Sequence, residues 1–211
     1  MRRREFIAVI GGAAVAWPAA ARAQQSAMPI VGFLSSRSPG DSSEVVAAFH
    51  KGLRQMGFVE GQNTVIAFRW AEGHYDRLPK LASDLVNLRA AAIFAAGGSP
   101  SALAAKTATS TIPIVFLASD PIRLGLVTSL NQPGGNITGI SNVATELAGK
   151  SLGLLKQTIP TAQTIGYLMN PSNPIAKTFL MRRRRRQTNS EFSFTLLMPA
   201  HQRRWIRFSR L

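Results

Sequence analysis

Ala91-Ala-Ile-Phe-Ala-Ala-Gly-Gly-Ser-Pro-Ser-Ala-Leu-Ala-Ala-Lys-Thr-Ala108 decides the fold. Ala91 to Ala95 is a short apolar run of the kind that forms a strand buried on both faces of a parallel sheet. Ser99-Pro100 reads as an N-cap followed by proline at the first helical position, and Ala102 to Ala108 continues that helix. Gly97-Gly98 joins strand to helix with backbone alone, which lets another group approach closely.

The same alternation extends on both sides. Upstream, Pro29 to Leu34 predicts a first strand, and Asp41-Ser-Ser-Glu44 a capping-box start. Val45, Phe49, Leu53 and Met56 then share one helical face, and Gly57 stops the helix. Thr64 to Trp70 predicts a second strand, and Leu78, Leu81, Ala82 and Leu85 recur at helical spacing. Downstream, Ile112 to Ala118 predicts a fourth strand and Leu124 to Leu130 a short helix. Gln132 to Asn136 is a turn cluster, and Ile137 to Ser141 a fifth strand. Residues 143–158 predict another helix, and Thr164 to Met169 a further strand. Strands and helices alternating at this spacing imply right-handed crossovers: an α/β, Rossmann-like parallel sheet with helices on both faces.

At 211 residues and 45% apolar, the chain supports one core and a fraction of another. It has no cysteine, which excludes disulfides, thiolate metal sites and thiol nucleophiles. His50, His74 and His201 stand far apart in no ligand spacing, so no metal is expected. No phosphate-cradling loop, nucleophile elbow or zinc-protease helix motif is present. No catalytic residue and no cofactor are therefore expected, and the pattern points to binding rather than turnover. His74 and Asp76 read as a solvated loop, and the sequon at Asn136 to Thr138 as chance.

The net charge of +15 is unevenly spread: +3 over residues 1–23, +3 over 24–176 and +9 over 177–211. Residues 1–23 join a basic head, an apolar stretch from Phe6 to Ala16 and a small-x-small end at Ala21-Arg22-Ala23. This predicts an export leader, and Arg3-Arg4-Glu5-Phe6-Ile7 resembles the twin-arginine signal. The apolar stretch is too short to span a bilayer, which takes about 20 helical residues. The expected product is periplasmic, with no stable membrane span once the leader is cleaved.

In an open parallel sheet, ligands bind beyond the carboxyl ends of the strands. The strand tips there are small and polar: Ser35-Ser36, Gly97-Gly98-Ser99, Ser119-Asp120 and Ser141-Asn142. The expected ligand residues are Ser35, Ser36, Gly98, Ser99, Ser119, Asp120 and Ser141. Gly97-Gly98-Ser99 is either a carboxylate site at a helix N-terminus or a tight turn with a cap. Asp120 either meets a ligand ammonium or caps the segment that starts at Pro121.

Seven stretches carry a family resemblance: Ile30-Val-Gly-Phe-Leu-Ser35, Gly52-Leu-Arg-Gln-Met-Gly-Phe58, Glu60-Gly-Gln-Asn63, Ala71-Glu-Gly-His74, Ile114-Val-Phe-Leu-Ala-Ser-Asp-Pro121, Gly125-Leu-Val127 and Pro133-Gly-Gly-Asn-Ile-Thr-Gly139. Together they resemble the periplasmic substrate-binding components of ABC importers. That resemblance implies a type 1 periplasmic-binding fold of two lobes, closing on a small organic ligand such as an amino acid and delivering it to an inner-membrane ABC permease. It places Ser35, Ser99, Ser119, Asp120 and Ser141 on first-lobe loops facing the cleft, and Asn170 opposite them on the second lobe.

The resemblance read from the residues stops after Asn173-Pro174. The expected domains are residues 24–160 as the first lobe, 161–176 as the start of a second lobe otherwise largely missing, and 177–211 as a disordered basic tail. Arg182 to Arg186 repel one another, and the aromatics beyond them follow no strand or helix period, which reads as a frameshifted or truncated end. Gly166 to Met169 would then be an orphan strand, and ligand binding weak or absent. Two other readings stay open: a basic tail, with Trp205 and Phe208, that binds nucleic acid or an anionic membrane, and a small cofactor-using α/β enzyme. An export leader argues against a nucleic-acid partner.

Overall fold

The computed structural model describes residues 28–142, 144–161, 164–168, 170, 173, 193–197 and 206–208. The leader read over residues 1–23 lies outside them, as does most of the basic tail. Eight strands are described: β1 (Ile30–Ser35), β2 (Val65–Trp70), β3 (Ala92–Ala96), β4 (Ile114–Ser119), β5 (Ile137–Asn142), β6 (Thr164–Leu168), β7 (Ser193–Leu197) and β8 (Ile206–Phe208). The α-helices are α1 (Ser43–Gln55), α2 (Leu78–Asn87), α3 (Ser99–Ala108) and α4 (Ala144–Thr158).

The first five strands form one sheet in the order β2-β1-β3-β4-β5, every pair parallel. The chain leaves β1 toward β2 on one side and returns to β3 on the other, so strand order reverses between β1 and β3. Alternate residues of the strands supply two cores. On one face, Phe33, Ile66 and Ala96 are buried against Val45, Val46, Phe49 and Leu53 of α1. Phe33 meets Phe49 and Phe94 edge-on at 5.3 and 5.5 Å. On the other face, Leu34, Ile93, Ala95, Ile114 and Phe116 pack with Ala82 and Leu85 of α2 and Ala102 and Ala105 of α3. Small alanines on α3 let that helix lie close to the sheet. A helix face of this width buried on a sheet is what fixes the direction of α3, and so of its N-terminus.

Local chemistry corrects several expectations. Asp41 does not cap α1: a 3-10 turn at Gly40–Ser42 intervenes, Asp41 accepts a hydrogen bond from the Ser38 hydroxyl, and Ser42 at the N-cap makes no side-chain cap bond. Met56 is exposed rather than on the packed face, because α1 ends at Gln55. Leu124 to Leu130 is not a helix. Residues 121–125 form turns, and Leu126 and Val127 after them dip into the core. Gly125 and the following Pro133-Gly134-Gly135 favour turn geometry over a helical run. Asn136, the sequon asparagine, donates to the main-chain oxygens of Thr109 and Ile112 at 3.3 and 2.6 Å and so tethers the loop before β5.

β6 is not an orphan strand. It pairs in parallel with β7, which pairs antiparallel with β8, in a separate three-stranded sheet. Two stretches of the segment expected to be disordered, Ser193–Leu197 and Ile206–Phe208, are therefore strands. Their β-branched and aromatic content outweighs the lack of regular alternation. Among the described residues, no helix is long and apolar enough to cross a membrane.

Candidate functional site

Because all five strands run the same way, their carboxyl ends meet along one side of the sheet. The polar tips gather there and are fastened to one another. Ser35 is fully buried at the end of β1, and its Oγ accepts from the Arg37 N–H at 3.1 Å. The Ser36 hydroxyl donates to the Gly97 carbonyl at 2.7 Å, joining the tips of β1 and β3 across the strand-order reversal. Gly97 has φ +78°, and a Cβ on it would lie 2.7 Å from Ser35 Oγ and 2.8 Å from Ser36 N. Only glycine fits this position, on backbone conformation and on space.

Gly98, not Ser99, occupies the N-cap of α3. Ser99 is the first helical residue, with Pro100 behind it, and its hydroxyl turns across to β4 instead of capping. It donates to the Ser119 carbonyl at 3.0 Å and accepts from the Ser119 N–H at 3.1 Å. The Ser119 hydroxyl in turn donates to Asn142 Oδ1 at the end of β5. The result is a seam running from the start of α3 through β4 to β5, buried at Ser99 and Ser119 and open at Asn142. The amides of Ser99 and Ser101 lie at this helix start, which carries partial positive charge, while Pro100 between them supplies no N–H.

Asp120 follows this seam in left-handed backbone, φ +52°. Its main-chain carbonyl accepts from Leu124 N–H at 3.1 Å, but its carboxylate caps nothing: Oδ2 is buried with no hydrogen-bond partner. This corrects the capping alternative for Asp120. Among the described residues only one other buried side-chain oxygen lacks a partner, Ser101 Oγ, in the first turn of α3. Buried polar groups are nearly always paired in folded proteins. The two unpartnered oxygens follow the Ser99–Ser119 contact by two residues on α3 and by one residue after β4.

Of the residues expected to contact ligand, Ser35, Ser36, Gly98, Ser99, Ser119 and Asp120 come together. Ser141 pairs with Ala118 in the ladder, one residue short of the seam. Neighbouring strand residues face opposite ways, so it is Asn142, in register with Ser119, that completes the contact. The choice between Ser141 and Asn142 rests on the β4–β5 register, which the sequence does not show. Asn170 lies in the turn after β6, its carbonyl accepting from Asn173 N–H at 3.1 Å, and so belongs to the second sheet. Ser101 carried no sequence signal beyond its place in a helix start.

The serines of the seam bond to main-chain groups and to Asn142, not to a base that would activate them. Among the described residues no three His, Asp or Glu side chains converge. His74 and Asp76 are exposed, as a solvated loop would be. What remains chemically open is a helix N-terminus beside a carboxylate, two poles of opposite sign.

The family model described as ABC transporter substrate binding protein matches residues 35–194, continuing past the point where the quoted motifs stop. The chain is 38% identical over 130 residues to a tyrosine-binding protein of Clostridioides difficile (strain R20291), covering 61% of this chain and 37% of that protein. It resembles the structure of a conserved domain protein from Vibrio cholerae with TM-score 0.67 at 25% identity, covering 82% of this chain and 57% of that one. It resembles the ligand-free, open structure of a substrate binding protein with adhesive properties from Clostridium difficile with TM-score 0.56 at 30% identity, covering 81% and 57%. An ABC domain from Streptococcus pneumonia in complex with L-Trp shares the fold, with TM-score 0.66 at 24% identity, over 82% and 57%. The chain thus spans little more than half the length of these solved relatives.

Proposed function

The chain belongs to the family of ABC transporter substrate-binding proteins, and from that premise we propose that it captures a small α-amino acid at the carboxyl edge of its five-stranded sheet for delivery to an ABC permease. One observation carries the choice of ligand: the Asp120 carboxylate, with its buried Oδ2 unpartnered, stands at the same edge as the N-terminus of α3. A zwitterion complements both. Its carboxylate suits the free amides and partial positive charge of a helix start, and its ammonium suits an acceptor left without a donor. The 38% identical tyrosine-binding protein is consistent with an amino-acid ligand.

The family is one of binding proteins rather than enzymes, in keeping with serines held by main-chain bonds instead of by a base. The leader read in residues 1–23 supports export to the periplasm, where a permease would receive the cargo. The edge forms one wall. Ligand sites commonly enclose about 70–90% of a ligand's surface, and one wall leaves more of it in water.

A titration of the purified chain with L-tyrosine, followed by amide chemical shifts, tests the assignment. Shifts concentrated at residues 97–101 and 119–120 are expected. Shifts confined to other surfaces would overturn it.

A further inference from the structure

The turn that presents Asp120 is fastened to α3 at two points. Upstream, Ser99 holds the Ser119 main chain through both its N–H and its carbonyl. Downstream, the Lys106 ammonium donates to the Gly125 carbonyl and, at 3.1 Å, to the Leu126 carbonyl. Ser99 and Lys106 lie about two helical turns, roughly 10 Å, apart on one stripe of α3. The segment between the two attachments is bonded to itself, Leu124 N–H to Asp120 O at 3.1 Å and Leu126 N–H to Pro121 O at 2.8 Å. Leu126 is buried beneath it.

Asp120 needs such a frame. Left-handed backbone is uncommon for residues other than glycine, aspartate and asparagine being among the most tolerant of it. An unpartnered carboxylate oxygen does nothing to hold the turn in place. The bonds that hold the turn come from its own main chain and from α3. A lysine supplies three donors and a full charge, enough to hold two carbonyls that end a turn.

We infer that Lys106 is a positioning residue for ligand recognition: by clasping the Gly125 and Leu126 carbonyls to α3 it fixes the Asp120 carboxylate at a set distance from the helix N-terminus. The two poles of the site then belong to one rigid body, and the spacing between them selects for a zwitterion. This inference rests on the ammonium-binding role of Asp120 proposed above.

The test compares the full chain with K106M, K106R and D120N by amide hydrogen exchange and by titration with tyramine, a cation lacking the carboxylate. In K106M the amides of Leu124, Gly125 and Leu126 are expected to exchange about ten-fold faster while those of β3 and β4 hold their rates. Tyramine affinity is expected to fall about five-fold. K106R, which keeps charge and donors, restores both. Unchanged turn exchange in K106M overturns the clasp. Faster exchange with unchanged tyramine affinity reduces Lys106 to a structural role and overturns its part in recognition. Equal tyramine binding by the wild type and D120N overturns the Asp120 assignment instead, and the exchange data then judge the clasp separately.

Discussion

Two acidic residues follow strands of the same sheet in nearly the same strained backbone: Glu72 after β2 at φ +54° and Asp120 after β4 at φ +52°. Their surroundings differ. Glu72 is exposed and accepts from Arg77 Nη1 at 2.9 Å, while Asp120 is half-buried with one oxygen left unpartnered. Left-handed backbone at a strand tip is thus not a mark of function by itself. What separates the two turns is whether the charge has been answered. An exposed, paired carboxylate contributes at most a fraction of a kcal/mol, whereas a buried acceptor without a donor is retained at a cost and so points to a donor that arrives from outside.

The sharpest way to break this comparison is to dismantle the frame that both poles share. G97A places a Cβ against Ser35 Oγ and Ser36 N in left-handed backbone. It is expected to destabilise the chain by about 3 kcal/mol or more in urea unfolding, from backbone strain and overpacking together. S99A leaves the buried Ser119 N–H and carbonyl without their partner. A loss of about 1–3 kcal/mol is expected by the same measurement. S36A removes only the half-buried bond to Gly97 O, for about 1 kcal/mol.

The two acids themselves should behave oppositely. D120N keeps a residue that tolerates left-handed backbone, so stability is expected to stay within about 0.5 kcal/mol while tyramine affinity falls about ten-fold. E72Q loses the Arg77 pair and is expected to cost under about 0.5 kcal/mol, with no change in tyramine titration. A binding loss in E72Q equal to that in D120N would erase the distinction drawn here.

The sheet was legible because its strands are apolar runs bounded by small polar residues. β1, β3 and β4 appear in the structure within two residues of where their sequences place them. That the polar tips cluster followed from parallel topology alone. What each tip does was not legible. Ser99 reads as an N-cap in one dimension because its neighbours are Gly98 and Pro100. Only the position of β4 beside α3 shows that its hydroxyl has a better partner in Ser119. Ser141 was preferred to Asn142 because strand parity depends on register, which a one-residue shift reverses. The pairing of β6 with β7 lay across a segment whose composition carries no period.

The most direct measurement is a parallel titration of the wild type and D120N with L-tyrosine, tyramine and hydroxyphenylpropionate, followed by amide shifts at residues 97–101 and 119–120. Asp120 should matter for the two ligands that carry an ammonium and not for the one that lacks it. L-Tyrosine and hydroxyphenylpropionate should perturb the α3 amides, and tyramine, which has no carboxylate to place there, should not. Identical responses from wild type and D120N across the three ligands would contradict the account.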